Sequence, residues 1–142
     1  MLYRHENFEN IDFKDYMNRL SNLLLGMYAN DQNIQVNIQS DIKDMDLNIM
    51  VQLGIMINEL VTNSIKYAFI ENRGEINIKL QDNEDNYILT YTDNGIGHKS
   101  PEILLKSKSL GIRLINLTAK QLKGNVKISS PKGLKYEIEF SK

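Results

Sequence analysis

The chain has 142 residues, 42% hydrophobic and 25% charged, with a formal net charge of −1 and no cysteine. That length and balance suit one globular domain with a single two-layer core. The near-neutral charge excludes a global basic field for DNA or RNA, and the missing cysteines exclude disulfides, zinc–thiolate centres and a thiol nucleophile.

Residues 1–11 are polar and weakly patterned and read as a lead-in from an upstream region, with the domain proper over 12–142. In 12–28, Phe13, Tyr16, Met17, Leu20, Leu23, Leu24 and Met27 recur at helix spacing. Ile34, Val36 and Ile38 alternate with polar residues, which predicts a strand over 33–39. A long apolar-rich helix is expected over 47–69, tolerating Gly54 and broken by Asn72-Arg73-Gly74. Ile76, Ile78 and Leu80 predict a second strand, 82–86 a polar turn, and Tyr87, Leu89 and Tyr91 a third strand. Asp93-Asn94-Gly95-Ile96-Gly97 cannot be regular structure. Residues 98–108 read as a loop containing Pro101, three lysines (Lys99, Lys106, Lys108) and a short helical turn at Ile103-Leu104-Leu105. Helix spacing resumes over 110–123, with Ser109 as N-cap and Gly124 as the stop. Val126 and Ile128 form one strand; Tyr136, Ile138 and Phe140 form the last, after a turn at Pro131-Lys132-Gly133. This order predicts an α/β (α+β) two-layer sandwich, a mixed sheet covered by helices on one face. No apolar run approaches the roughly 20 residues of a membrane-spanning helix, and the N-terminus lacks the apolar core of a signal peptide. A cytoplasmic domain without membrane contact is expected.

Three segments carry residues suited to chemistry. In the first, Glu59, Asn63 and Lys66 share one helix stripe, while Ile57, Leu60, Val61, Ser64 and Ala68 lie opposite and suit a core. Asn63 offers an uncharged oxygen to a hydrated magnesium ion, Lys66 positive charge to a phosphate, and Glu59 a carboxylate that accepts a proton or orders a water. The second is Asp93 to Gly97 at a strand end. Its glycines let a ligand approach the backbone, and the Asp93 carboxylate can accept from an exocyclic amine but not from a carbonyl. In the third, Ser109-Leu110-Gly111 opens a helix whose first N–H groups attract phosphate. Taken singly, the three read equally well as a solvated helix face, an Asp-Asn-Gly turn and an ordinary capped helix.

Taken together, their order resembles the nucleotide-binding superfamily of type II topoisomerases, heat-shock chaperones, mismatch-repair ATPases and histidine kinases. Residues 58–67 resemble its N box, Asp93 to Gly97 its first glycine box, and Leu110-Gly111-Ile112-Arg113-Leu114-Ile115 its second. Within it the chain looks most like histidine kinases of the second dimerisation-domain type, through residues 54–69 and Gln121-Leu122-Lys123-Gly124. The resemblance implies the Bergerat fold, with ATP and Mg2+ as ligands. It implies Asn63 as magnesium ligand, Glu59 as the acidic residue polarising the attacking group, Lys66 on phosphate and Tyr67 lining the nucleotide. It further implies Asp93 on the adenine amine, Gly95, Ile96 and Gly97 in the closing loop, and Leu110 and Gly111 beside the phosphates.

The chain departs from the family pattern at Lys108-Ser109-Leu110, where another glycine is usual, and at Leu134, where a threonine often helps hold adenine. It also lacks a clear phenylalanine motif in the lid. Only His5 and His98 are present, neither in an acceptor motif. The resemblance therefore implies a catalytic fragment of a longer sensor, membrane-anchored or not, that cannot autophosphorylate alone. Its partners would be an upstream histidine-bearing dimerisation domain and a response-regulator receiver domain, with no nucleic acid. An anti-sigma-factor-type serine kinase and a non-catalytic ATP-binding sensor module are the alternatives, and a mechanical ATPase module ranks last.

Overall fold

The computed structural model describes residues 10–142. The expected lead-in lies outside these residues over 1–9, as does His5; its last two residues form β1, Asn10–Ile11, antiparallel to β3, Met45–Asp46. The first helix, α1, is Phe13–Tyr28. Asp12 caps it, accepting from the Lys14 and Asp15 backbone N–H groups at 3.0 and 3.4 Å. Phe13, Met17 and Leu24 are buried, whereas Leu23 and Met27, which share the apolar spacing, are exposed.

Strand β2, Asn33–Ser40, leads through β3 to α2, Leu47–Asn63, and then to β4, Arg73–Asn83. β2 and β4 pair in parallel, and a parallel pair requires a crossover of this kind. The remaining strands are β5, Asn86–Asp93, β6, Asn125–Ser129, and β7, Lys135–Ser141, all antiparallel to their neighbours. The sheet order is β2-β4-β5-β7-β6, so the sheet is mixed, as expected. Helix α3, Leu110–Gln121, completes the cover beside α2.

The inner face of the sheet reads as apolar rungs. Ile38, Ile78, Tyr91, Tyr136 and Ile128 are successive partners across all five strands, and Leu80, Leu89, Ile138 and Val126 form the next rung. Against these rungs α2 buries Met50, Leu53, Met56, Ile57, Leu60 and Val61. The opposite sheet face carries Asn37, Asn77 and Lys79, in the period-2 alternation of a half-covered sheet. Leu53 is wholly buried, so Leu53→Ala should cost about 2–5 kcal/mol. Urea unfolding would show a lowered midpoint at unchanged slope; a loss well under 1 kcal/mol would mean that Leu53 does not brace the helix layer.

Gly54 sits inside α2 because α1 crosses there: a Cβ would stand 3.0 Å from the Tyr16 hydroxyl oxygen. The stop of α3 differs from expectation by one residue. The left-handed position is Lys123, at φ 58°, and Gly124 follows it. The Gly124 N–H reaches the Ala119 carbonyl at 2.8 Å and the Lys123 N–H the Lys120 carbonyl at 3.0 Å, which is a Schellman closure. Glycine is needed at 124 for packing: a Cβ would come within 2.9 Å of the Phe140 Cβ and closer still to the Glu139 carbonyl.

Candidate functional site

The predicted 47–69 helix is not uniform. It is α-helical through Asn63 and closes in a π-helical turn, Ser64–Ala68. The Tyr91 hydroxyl on β5 lies 3.0 Å from the Leu60 carbonyl, one turn before the change of pitch. A side chain bonding into a helix ladder is one cause of such distortion, and single π turns gather at functional sites.

Asp93 ends β5 directly opposite Ile76, which is wholly buried, and so falls on the inner face of the sheet. It is only 6% exposed. Its Oδ1 accepts from the backbone N–H groups of Gly95 and Leu134 at 3.0 and 3.1 Å, and its Oδ2 accepts from Ser64 Oγ at 2.8 Å. Three donors compensate the buried charge. Leu134 brings no side-chain hydroxyl; its main-chain N–H and the Ser64 hydroxyl supply bonds to the carboxylate. Burial pushes the Tyr136 hydroxyl up to about 12, with the Asp93 charge adding to the shift. Tyr91 is also raised well above the usual tyrosine range, first by burial. Both phenols therefore stay protonated beside the carboxylate.

The loop after Asp93 is pinned at several points. Ile96 N–H donates to the Ala68 carbonyl at 2.9 Å, against which Gly95 packs too closely for a side chain. Gly97 has φ +68°, a left-handed conformation suited to glycine. The His98 N–H donates to Ser130 Oγ at 3.0 Å, and that hydroxyl donates to the Gly133 carbonyl at 2.9 Å, fastening the loop to the β6–β7 turn.

On the other side, Ser109 Oγ accepts from the Ile112 N–H at 3.4 Å and caps α3. A Cβ on Gly111 would stand 2.8 Å from Glu59 Oε1 and 3.9 Å from Asn63 Nδ2. The second glycine segment thus lies directly on the polar stripe of α2.

Between these walls opens a cavity of about 580 Å³. Glu59, Asn63, Lys66 and Tyr67 line it from α2 and its π turn, Asp93, Ile96 and Gly97 from the β5 end, and Leu110 and Gly111 from α3. Gly95 does not line it; its contribution is the N–H donated to Asp93. Lys99, Lys106 and Lys108 are exposed and stand outside the lining. The helical turn expected at Ile103-Leu104-Leu105 lies within a 3-10 helix, Pro101–Lys106, that brings Leu104 to the cavity, and Asn116 Nδ2 ties it to α3 through the Leu105 carbonyl at 2.9 Å. Ser64, assigned to the core face, is buried but also lines the cavity. A hydroxyl on an otherwise apolar helix face was the available signal. Tyr136, which belongs to the period-2 pattern of the last strand, and His98, which follows the glycine loop, also line the cavity.

Among the described residues no cluster of three His, Cys, Asp or Glu side chains could hold a metal ion. The Asn63 amide oxygen suits a magnesium ion carried in on phosphates, which needs only one or two protein oxygens. No helix among the described residues is long and apolar enough to cross a membrane.

The profile of histidine kinase-, DNA gyrase B- and HSP90-like ATPases matches residues 48–142. No curated protein matches the chain. Among solved structures, the chain is similar to the histidine kinase domain of a blue-light activated histidine kinase from Erythrobacter litoralis. The TM-score is 0.78 at 19% identity, over 92% of this chain and 65% of that one. It is similar to the Acinetobacter baumannii histidine kinase AdeS, with TM-score 0.77, 20% identity, 94% of this chain and 66% of that one. The catalytic domain of histidine kinase ThkA gives TM-score 0.67 at 20% identity, with 89% and 93% covered. The chain thus spans about two thirds of the first two structures, and these similarities describe its fold.

Proposed function

This chain belongs to the family of histidine kinase-, DNA gyrase B- and HSP90-like ATPases, and from that premise we propose that it is the ATP-binding catalytic domain of a sensor histidine kinase. One observation carries the proposal: nine residues from three separate segments line a single cavity closed at one end by the buried Asp93 carboxylate. A cavity of about 580 Å³ lies in the range of small-molecule sites.

The division of labour follows from side-chain chemistry. Asp93 accepts from the adenine amine. Tyr67, at the cavity mouth, flanks the nucleotide. Lys66 and the open N–H groups at the start of α3 hold phosphate oxygens, and Gly111 leaves room for them. Asn63 gives its amide oxygen to magnesium, and Glu59 orients and polarises the attacking group. When bound, Mg-ATP supplies the phosphoryl group and the metal charge that offsets its negative oxygens. The work of these side chains is positioning and charge neutralisation. The acceptor would be a histidine on a dimerisation domain, from which a receiver domain takes the phosphoryl group.

Mixing the chain with labelled ATP and a separately prepared dimerisation domain should give an acid-labile phosphohistidine on that domain. An acid-stable phosphoserine on a partner would instead select a serine kinase, and tight ATP binding with no transfer a sensor module. Asn63→Ala should weaken binding of Mg-ATP by about tenfold while changing magnesium-free binding little, in keeping with loss of one metal-ligand oxygen. Equal losses with and without magnesium would give Asn63 a purely structural role.

A further inference from the structure

The formal net charge of −1 hides a strong segregation of charge along the chain. Residues 99–135 hold nine lysine and arginine side chains against one acid, Glu102, while the rest of the chain holds 17 acids against eight bases. This basic stretch forms the lid, α3, β6 and the β6–β7 turn. Eight of its nine cations are exposed. Among the described residues the ion pairs are Arg19–Asp15, Lys43–Asp12 and Lys142–Asp82, so no carboxylate neutralises any of the nine.

Five of these cations flank lining residues of the cavity without lining it themselves. Lys99 follows His98, Lys106 and Lys108 bracket Ser107, and Arg113 follows Ile112. Lys132 joins them from the β6–β7 turn, where its carbonyl stands in the way of any Cβ on Gly97. The cavity interior has the opposite balance: the carboxylates of Glu59 and Asp93 outnumber the one lysine, Lys66. A triphosphate approaching that interior meets net repulsion unless charge nearby offsets it. Unpaired cations within about one Debye length, roughly 8 Å at physiological ionic strength, provide the offset.

We propose that Lys99, Lys106, Lys108, Arg113 and Lys132 form an electrostatic funnel that steers an anionic nucleotide into the cavity, setting its association rate without holding it once bound. This rests on the assignment of the cavity to a nucleotide. Charge of one sign around a cleft raises association rates by about 10- to 1,000-fold, and the gain falls steeply with salt. Groups that touch the bound ligand act mainly on dissociation instead. Standing outside the lining, the five cations belong to the first class.

Stopped-flow fluorescence with an ATP analogue labelled on the ribose separates the two rate constants. It would be run on the wild-type chain, on the double variant Lys106→Glu with Lys108→Glu, and on Lys106→Gln with Lys108→Gln. Both positions are exposed, so the fold should survive, which circular dichroism would check. At about 20 mM salt the charge reversal should slow association about tenfold and the neutralisation about threefold, with dissociation unchanged. At about 0.5 M salt, where the Debye length shrinks to about 4 Å, the three association rates should converge. An association rate that is the same in all three proteins at low salt overturns the proposal. A loss carried by faster dissociation overturns it too, because the lysines would then be phosphate contacts. A wild type that binds no nucleotide at either salt concentration would instead remove the underlying assignment of the cavity.

Discussion

Asp93→Ala is expected to abolish measurable ATP binding while the domain remains folded. The substitution removes the one buried carboxylate of the cavity and with it the acceptor for the adenine amine. A charge-assisted hydrogen bond of this kind contributes about 1.5–3 kcal/mol, or roughly a ten- to 150-fold change in affinity. The loss should exceed the direct bond, because Asp93 also organises its surroundings. The N–H groups of Gly95 and Leu134 and the hydroxyl of Ser64 all donate to it. Without it the loop carrying Ile96 and Gly97 loses one of its ties to the β6–β7 turn. Stability should fall as well, by about 1–3 kcal/mol, since three donors lose a charged acceptor. Circular dichroism and urea unfolding would establish the fold, and calorimetry the binding. Unchanged affinity in the folded variant would rule out the adenine role of Asp93.

Gly133→Ala is expected to damage fold and site together, although it adds a single methyl group to a turn. Gly133 is buried, and a Cβ there would overlap the Asp93 carbonyl and carboxylate and stand 2.7 Å from the Gly95 backbone nitrogen. Two of these neighbours are main chain and cannot rotate away. Overpacking of this kind costs about 1–3 kcal/mol, sometimes more, and we expect the upper end. The displaced groups are the same ones that hold the adenine acceptor, so ATP affinity should fall at least about tenfold. Gly26 is the internal contrast. It lies within α1 with nothing near the place a Cβ would take. Gly26→Ala should therefore stabilise the domain, by about 0.5–1 kcal/mol, through helix propensity. A Gly133→Ala protein with wild-type unfolding and wild-type affinity would mean that the β6–β7 turn does not buttress Asp93.

Much of the fold was legible from periodicity. The stretch Phe13–Tyr28 carries its apolar residues at helix spacing and Asp12 at the cap. The alternation Ile76, Ile78, Leu80 and the alternation Tyr87, Leu89, Tyr91 mark strands with one covered face. These are local properties, set by the side-chain repeat of 3.6 in a helix and 2 in a strand. The site was legible in a weaker sense. The polar stripe, the Asp-Asn-Gly-Ile-Gly turn and the capped glycine helix were each visible, and their order carried the family resemblance. The helical turn of the lid was legible, but the place of Leu104 at the cavity depends on how the 3-10 helix packs on α3 and β6, which loop composition does not show. The π turn was missed because its residues have the same apolar spacing as an α-helix.

By itself, the sequence determined the elements, the covered face of each, and the three segments able to treat a nucleotide. These follow from residue type and spacing along the chain. Only the tertiary structure decided that Asp93 stands opposite Ile76 on the inner face, that Gly111 lies against Glu59 and Asn63, and that Ser64 turns from a core position into a partner of Asp93. Each of those facts joins residues about 17 to 50 positions apart. They rest on sheet register and helix packing, which no local periodicity encodes.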